Sequence, residues 1–310
     1  MKTSPTLSRR NFLAKTGTAL ACASVVAAAP HRLLANITAE PKVKIRFSMY
    51  IYTLMNAPHA KEMLDIVEIC RRTKALGIDG LDFISNGYNK TWTEIRKISD
   101  DYGLRSICYT MGVSQMESSD PVTRAEGIEQ FKIRLDTAHT LGTNKIMLNQ
   151  GGKASGNSSA VNRKWMIESL GVAMPLAKAA GVEVTIETHN SNVAPFRNSS
   201  NFSEALAQVP DMRVCFDTGN SFGNGEDPLQ GYLNNRKHVT HMHFKDYAKG
   251  ELGNARSICP PGTGLIDMPS IIKEMKRSGY DGYINLEKGG PDGFEVYQQS
   301  MKILARIFHE

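Results

Sequence analysis

Short apolar runs and longer amphipathic stretches alternate along the chain from residue 42 onward. The runs are bounded by Gly, Asp or Asn, as buried strands are, and the stretches between them repeat their apolar positions with a helical period. Several of these stretches end in Gly just before the next run, for example in LGIDG and AGVEV, which is a common stop signal for a helix. The pattern predicts eight strands, at residues 43–49, 80–84, 105–110, 145–149, 182–187, 213–217, 239–244 and 282–287.

Eight strand–helix units in about 270 residues match the size and alternation of a closed parallel barrel, the (β/α)8 TIM barrel. A doubly wound open sheet is the alternative. That fold usually places a glycine-rich phosphate turn after its first strand, and the sequence here, SMYIYTLMNAP, is not one. The barrel predicts that functional residues lie at the C-terminal ends of the strands and in the loops that follow them.

The first 35 residues differ from the rest of the chain. Paired Arg9 and Arg10 come first in SRRNFLAK, an alanine-rich apolar run follows, and small residues precede two candidate cleavage points, after Ala29 or after Ala35. This order of charge, apolar run and small residues resembles a twin-arginine export signal. We therefore expect the mature protein in the periplasm or outside the cell, with the twin-arginine translocase as its partner during export.

The first 35 residues also determine the expected domain boundaries and whether a membrane span is expected. We expect a signal peptide over residues 1–35 and a single catalytic domain over residues 36–310. The apolar run is too short and too weak for a transmembrane helix, so no membrane span is expected. A lipid anchor at Cys22 is left open, although the leucine before it is one place too close for a good lipoprotein box.

Charge and cysteine content bear on nucleic-acid binding and on disulfide bonds. The formal net charge is +6 and no block of like charges occurs, so the chain shows no nucleic-acid footprint. Four cysteines remain after export, and the periplasm permits disulfides. They show no CxxC or Cys/His spacing, so we expect buried free thiols. The four are Cys70, Cys108, Cys215 and Cys259.

One predicted strand collects three histidines within nine residues, HVTHMHFKD at positions 238–246. Side chains two apart on a strand share a face, so His241, His243 and Lys245 point to one side and Met242 and Phe244 to the other. A single histidine is more often a satisfied core residue than a metal ligand. Residues on the other strands are needed to distinguish a core histidine from a metal ligand.

Acidic residues end the neighbouring predicted strands. The fifth strand ends in Glu187, the sixth in Asp217 and the eighth in Glu287, on either side of the histidine strand. Carboxylates with one imidazole suit Mn, Mg, Co or Zn, and the absence of cysteine argues against a purely structural zinc site. For any one acid, the alternative is a polar residue that closes a strand or caps the next helix.

The chain resembles the sugar phosphate isomerase/epimerase superfamily with the xylose-isomerase-like TIM barrel, in the branch that includes ketose 3-epimerases. The resemblance covers residues 43–310 and is carried by five motifs: IETHN, CFDTGN, HMHFKD, PGTG and INLEKGG. It implies one divalent metal ion, held by Glu187, Asp217, His243 and Glu287, with His241 in the surrounding shell or the substrate pocket.

The resemblance also implies a mechanism. The two glutamates would act as acid and base on opposite faces of a sugar carbon. The metal would polarise the adjacent carbonyl and stabilise an enediolate. The candidate substrate contacts are polar residues near the strand ends: Gln150, His189, Asn220, His241 and Lys245.

One position departs from the family pattern. Many members carry a histidine three residues after the aspartate of the sixth strand, where this chain has Asn220. An amide can hydrogen-bond a sugar hydroxyl, but it is a poor metal ligand and cannot shuttle protons. This residue argues against a site with several metal ions.

The function expected from these residues is an exported, divalent-metal-dependent sugar isomerase or epimerase that acts on a small carbohydrate. Export disfavours a phosphorylated substrate. The alternatives are a lyase or hydrolase of 3-keto glycosides that uses the same metal site, and a catalytically inactive sugar-binding barrel. Whether the chain forms a homo-oligomer is left open.

Overall fold

The computed structural model describes residues 45–55, 65–151, 157–248, 258–287 and 292–309. The predicted signal peptide at residues 1–35, including Cys22, lies outside these ranges. So do the first two residues of the first predicted strand and the last three residues of the INLEKGG motif.

Eight parallel strands form one sheet whose spatial order is their order along the chain. Each strand is hydrogen-bonded to the next, and helices lie between consecutive strands, so the predicted (β/α)8 TIM barrel is confirmed. The strands of the barrel are β1 (Met49–Tyr50), β2 (Gly80–Ile84), β3 (Arg105–Gly112), β4 (Lys145–Asn149), β5 (Glu183–Glu187), β6 (Arg213–Asp217), β7 (Val239–Phe244) and β10 (Tyr283–Leu286). Between the last two of these, β8 (Asp246–Tyr247) and β9 (Ile258–Cys259) form a short antiparallel pair.

Within the described part of the predicted strand at residues 43–49, regular strand begins at Met49, and it continues to Tyr50. Here the chain pairs with β2, while two residues earlier Phe47 bridges Ile284 of β10. Two backbone hydrogen bonds support that bridge, Ser48 N–H to Ile284 O at 3.2 Å and Ile284 N–H to Arg46 O at 2.9 Å. The segment thus changes partner along its length, and this closes the barrel.

Helices begin and end where local capping dictates. Asp120 caps α4 by accepting hydrogen bonds from two backbone N–H groups, and Gly142 ends this helix with a left-handed φ of 72°. Helix α3 carries a complete capping box between Thr91 and Glu94. The helices among the described residues are α1 (Ile51–Met55), α2 (Ile66–Ala75), α3 (Trp92–Asp101), α4 (Pro121–Leu141), α5 (Ser159–Ala179), α6 (Ser199–Leu206), α7 (Thr218–Gly223), α8 (Pro228–Asn235), α9 (Met268–Ser278) and α10 (Gly293–His309), with a 3-10 turn at Ser114–Glu117.

The apolar core lies between the sheet and the surrounding helices. Phe83, Phe216 and Phe244 are among the fully buried side chains, and they alternate along their strands with residues that face the barrel axis. Among the described residues, Cys70, Cys108 and Cys215 are buried thiols without a disulfide bond, as predicted, but Cys259 of β9 is only half-buried, so the expected burial is wrong for this residue. No helix in the described part of the chain has both the length and the apolar character that crossing a membrane requires.

The Tyr297 hydroxyl of α10 ties the two strands at the closure of the barrel. It accepts hydrogen bonds from Tyr50 N–H (2.8 Å) and Leu286 N–H (3.1 Å) and donates one to Ser48 O (2.9 Å). All of these groups are buried, so removal of the hydroxyl would leave two N–H groups and a carbonyl without this partner.

We predict that Tyr297→Phe lowers the free energy of unfolding by about 3 kcal/mol, since several buried polar groups lose a partner. Urea unfolding followed by circular dichroism measures this change. Tyr232→Phe is the matched control, because its hydroxyl bonds one side chain, Ser278, at 2.8 Å, and we expect a loss of about 1 kcal/mol. Equal losses in the two variants would show that the closure does not depend on Tyr297.

Candidate metal centre

Four ionisable side chains meet at the C-terminal end of four adjacent strands. Glu187 is the last residue of β5 and Asp217 the last of β6, His243 lies one residue before the end of β7, and Glu287 directly follows β10. The strand register sets Asp217 opposite His243, which aligns these ends. One ligand atom of each residue lies within 4.8 Å of the others. We call these four residues the acid–histidine cluster.

Direct contacts connect the cluster. His243 Nδ1 lies 2.8 Å from Glu187 Oε1 and 3.2 Å from Glu287 Oε2. Lys245 Nζ lies 2.7 Å from Glu287 Oε1 and 3.4 Å from Asp217 Oδ2. Lys245 is only 7% exposed, so this cation belongs to the site and not to a solvated rim.

Asp217 both caps a helix and offers an oxygen to the cluster. Its Oδ1 accepts the backbone N–H of Asn220 at 2.6 Å at the start of α7. Its Oδ2 is buried and accepts no hydrogen bond from the described residues, although it lies at ion-pair distance from Lys245. A buried carboxylate oxygen without a hydrogen bond is costly, and a bound cation would satisfy it.

The electrostatics of the site also favour a cation. Burial raises the pKa of Asp217 to about 7; Lys245 opposes this rise, while the charges of Glu287 and Glu187 add to it. Three carboxylates and one imidazole are a donor set that fits Mn, Mg, Co or Zn. The residues present therefore fit a divalent metal ion, whose identity they do not select.

Asn220 serves the cluster through its neighbours. Its side-chain amide donates to Thr188 O at 2.9 Å, and its Oδ1 accepts a hydrogen bond from Lys245 Nζ at 3.2 Å. Together with its backbone bond to Asp217, these contacts hold two charged groups of the site in place. Its predicted contact with substrate stays a prediction.

The remaining predicted substrate contacts lie at different depths. Gln150 is buried, and its amide is engaged by backbone atoms: it donates to Glu187 O (2.6 Å) and Phe196 O (2.8 Å) and accepts from Phe196 N–H (2.6 Å). His189 is half-buried beyond the end of β5, where its Nδ1 accepts the N–H of Ser191 at 3.0 Å. The structure therefore places Gln150 as a support of the loop after β5.

His241 lies beneath the cluster, one step deeper along β7. It is fully buried, and its Nε2 lies 2.7 Å from Asp82 Oδ2. Asn285 Nδ2 donates to Asp82 at 2.7 Å and lies 3.2 Å from His243 Nε2. Ser48 Oγ donates to Asn285 Oδ1 at 2.6 Å. These four residues, Ser48, Asp82, His241 and Asn285, form a polar layer under the metal centre.

The motifs place His241 in the surrounding shell, but they do not predict Ser48, Asp82 or Asn285 in this layer, although one signal is present. Asp82 is a charged residue in the middle of the apolar strand GLDFI, and such a residue needs a buried partner. Asn285 and Ser48 carried no comparable signal.

A cavity of about 400 Å³ opens beside the cluster, at the ends of β1 to β4. Tyr50, Tyr52, Asn86, Thr110 and Gln150 are among its lining residues. None of the four cluster residues lines the cavity, but the Tyr50 ring centroid lies 4.7 Å from that of His243, so the Tyr50 ring lies between the cavity and the cluster. We call this space the mouth cavity. A larger space of about 600 Å³ lies at the opposite end of the barrel and contains none of the cluster residues.

Two aromatic residues face the mouth cavity and could stack on a sugar ring. Tyr50 and Tyr52 line it, with ring centroids 5.7 Å apart. Trp92 instead packs on the outer layer, with its ring edge against Tyr109 at a centroid distance of 5.5 Å.

The sequence pattern of the family described as the xylose isomerase-like TIM barrel matches residues 70–307. This stretch is more than half of the 310 residues, and the chain belongs to this family. The superfamily predicted from the motifs is thereby confirmed. The ketose 3-epimerase branch and the export signal stay predictions.

Relatives with named activities include dehydratases. A 3-dehydroshikimate dehydratase of Bacillus anthracis is 21% identical over 276 residues, which span 82% of this chain and 96% of that protein. An inosose dehydratase of Lacticaseibacillus casei is 32% identical over 124 residues, which span 36% of this chain and 42% of that protein.

Solved structures share the fold. The 3-keto-D-glucoside 4-epimerase YcjR of E. coli matches with a TM-score of 0.67 at 19% identity, covering 85% of this chain and 100% of that chain. The IOLI protein with a bound zinc atom matches with a TM-score of 0.72 at 14% identity, covering 85% of this chain and 98% of that chain. At such identities the likeness shows the fold alone.

We predict that the purified protein binds one divalent ion and that His243→Ala weakens its affinity by more than the 10- to 100-fold typical of outer-shell partners. Removal of one of four ligands leaves the carboxylates to bind alone. Elemental analysis and Mn²⁺ titration measure content and affinity. His238→Ala, at the opposite end of β7, is the matched control and should bind the ion normally. Undiminished binding by His243→Ala would exclude the proposed ligand set.

A second prediction follows from the raised pKa of Asp217. In the metal-free protein, the folded state holds this proton up to about pH 7, whereas the unfolded chain releases it near pH 4. The stabilisation is therefore complete below about pH 4 and is lost as the pH rises to about 7. Metal affinity changes in the opposite direction, because protons compete for the same oxygens at low pH.

Urea unfolding in EDTA at several pH values between 4.5 and 7.5 tests this prediction. The free energy of unfolding of the native chain minus that of Asp217→Asn should fall by on the order of 1 kcal/mol for each unit by which the pH rises in this range. A pH-independent difference would mean that Asp217 titrates at an ordinary pKa.

Proposed function

We propose that this protein is a divalent-metal-dependent enzyme that moves a proton next to the carbonyl of a sugar, as an isomerase or epimerase. One observation carries the proposal: two buried glutamates flank the metal centre. Glu187 and Glu287 come from strands separated by β6 and β7, and both reach His243. An epimerisation needs a proton acceptor and a proton donor on opposite sides of one carbon, and this pair supplies two carboxyl groups at one point.

The residues of this chain can be assigned roles in this reaction. The acid–histidine cluster would hold the metal ion, which when bound polarises the substrate carbonyl. Burial alone would raise the pKa of Glu287, but the positive charges of Lys245 and His243 hold it well below its ordinary range. Glu287 is therefore a carboxylate over the physiological range, which suits it to ligating a cation.

The mouth cavity suits a neutral, hydroxylated substrate. Tyr52, Asn86, Thr110 and Asn149 are among its lining residues and present hydroxyl and amide groups, which can donate to and accept from sugar hydroxyls. The tyrosine ring beside His243 offers an apolar face to the ring of the substrate. A 3-keto-D-glucoside 4-epimerase shares this fold, and 3-keto glucosides are therefore one class of substrate to test.

Elimination is the second candidate reaction. Proton abstraction next to a carbonyl can be followed by loss of a group from the neighbouring carbon, which gives a dehydratase or a 3-keto-glycoside lyase. The dehydratase names of the two relatives support this outcome. Both reactions begin with the same step and require the same glutamates.

We also propose that the enzyme acts after export. This part rests on the sequence of the first 35 residues alone, where the paired arginines and the apolar run stand in the order of a twin-arginine signal. It agrees with an unphosphorylated sugar ring in the mouth cavity, since phosphorylated sugars are chiefly cytoplasmic.

Solvent hydrogen exchange tests the proposed function. The Mn²⁺-loaded protein in D2O, given a panel of neutral ketoses and 3-keto glucosides, should incorporate deuterium next to the carbonyl of one class. Glu187→Gln and Glu287→Gln at saturating metal should each lower the rate by about 10²- to 10⁴-fold, because a positioned acid or base is lost. Mass spectrometry of the products separates epimers from eliminated species.

Glu183→Gln is the matched control for this experiment. Glu183 lies on β5 with Glu187 but at the other end of the strand, where it pairs with Lys145 at 3.1 Å, so exchange should be unchanged. Full activity in both Gln variants of the flanking glutamates would refute the mechanism. A loaded protein that binds sugars without any exchange would establish the inactive sugar-binding barrel instead.

A further inference from the structure

A second cavity, of about 290 Å³, adjoins the mouth cavity. The two share Ser85, Gly112 and Ser114 among their lining residues. At Gly112, the last residue of β3, an added Cβ would meet nothing within 4 Å, so the shared wall is open at this point. We call the second space the side cavity.

The charge of the side cavity differs from that of the mouth cavity. Arg134 of α4 is the one ionisable group among its described lining residues, and the others are neutral, including Gln115, Gln130 and Ser114. No carboxylate is among these lining residues, so the space has a positive potential.

Arg134 also differs from the other cations of its own helix. Arg124 pairs with Glu168 at 2.8 Å and Lys132 pairs with Glu129 at 2.7 Å. Within the described chain, the recorded hydrogen bond of Arg134 goes to a neutral group, Tyr109 Oη, at 3.2 Å, and no ion pair is recorded for it. A guanidinium has five N–H donors, so this half-buried side chain retains donors for a ligand.

The chemistry of these groups selects an anion. A planar guanidinium matches carboxylate, sulfate or phosphate through two parallel hydrogen bonds, and its attraction for an anion is stronger in a partly buried site than at an open surface. The serine and glutamine side chains of the same wall can donate further hydrogen bonds to such a group.

We propose that the side cavity is an anion subsite for a two-part substrate. The sugar ring occupies the mouth cavity beside the acid–histidine cluster, and a second moiety passes over Gly112 and places its anionic group on Arg134. The substrate class is then a sugar or glycoside with an anionic substituent. The sugar half rests on the proposed function, whereas the anion half rests on Arg134 alone.

Titration of the metal-loaded protein with benzoate and with benzamide, its neutral analogue, tests the anion half without any sugar. Benzoate should bind about tenfold more tightly than benzamide, since a charged bidentate contact is worth about that factor. Arg134→Gln should abolish this preference, and Arg134→Lys should keep part of it, because the charge remains but the planar fork is lost.

Arg124→Gln is the matched control on the same helix and should bind benzoate as the native chain does. Binding that is absent, or equal in the native protein and Arg134→Gln, overturns the anion subsite. If benzoate bound only to the metal centre, its affinity would be equal in the native protein and in Arg134→Gln. Circular dichroism of each variant confirms that it is folded.

The link between the two cavities is tested with phenyl β-D-glucoside and its 4-carboxyphenyl analogue. The carboxylate should increase affinity about tenfold in the native protein. Gly112→Leu, which fills the opening at a residue without a positive φ, should remove this gain while benzoate still binds. An unchanged gain in Gly112→Leu, or no gain in the native protein, overturns the two-part substrate. If benzoate binds but neither glucoside does, the proposed sugar function fails and the anion subsite stands.

Discussion

The concentration of negative charge at one end of the barrel is the constraint on which the rest of the site depends. Three carboxylates lie within a few ångströms of one another, and all are buried. Charges removed from water repel strongly unless cations accompany them. Lys245 and His243 supply part of the compensation, while burial, with the charges of Glu287 and Glu187, still raises the pKa of Asp217. A divalent cation would complete it and would at the same time activate a carbonyl. The same charge arrangement therefore accounts for the metal site and for the proposed chemistry.

The barrel makes this arrangement possible because its closure is independent of the charged groups. Tyr297 joins the first and last strands through three buried hydrogen bonds, on the side of the sheet that faces the helices. Beneath the cluster, Asp82, His241 and Asn285 contact one another inside the barrel, and Asn285 reaches His243 from below. Outer-shell contacts of this kind orient a metal-ligating histidine. The scaffold thus positions the site from two directions, through the closure at Tyr297 and through the polar layer under His243.

The two cavities extend the site beyond the metal centre. The mouth cavity is neutral and lies beside His243, and the side cavity carries the charge of Arg134. The relatives of this chain include proteins named as dehydratases. The proposed first proton transfer is compatible with either epimerisation or elimination. The groups that line these two cavities, which lie outside the metal cluster, are therefore the part of this chain that would select its substrate.

The sequence by itself determined the barrel and the four ligand positions, because both depend on local patterns. Apolar runs, helical periods and glycine stops specify strands and helices, and the end of a parallel strand specifies where its side chain lies. The sequence could not show that Lys245 is buried, since exposure depends on neighbours from other strands. It also could not show the bond from Asn285 to Asp82, which joins residues 203 positions apart, or the closure by Tyr297. Only the tertiary structure decided these, because closing the barrel brings together groups that no local pattern relates.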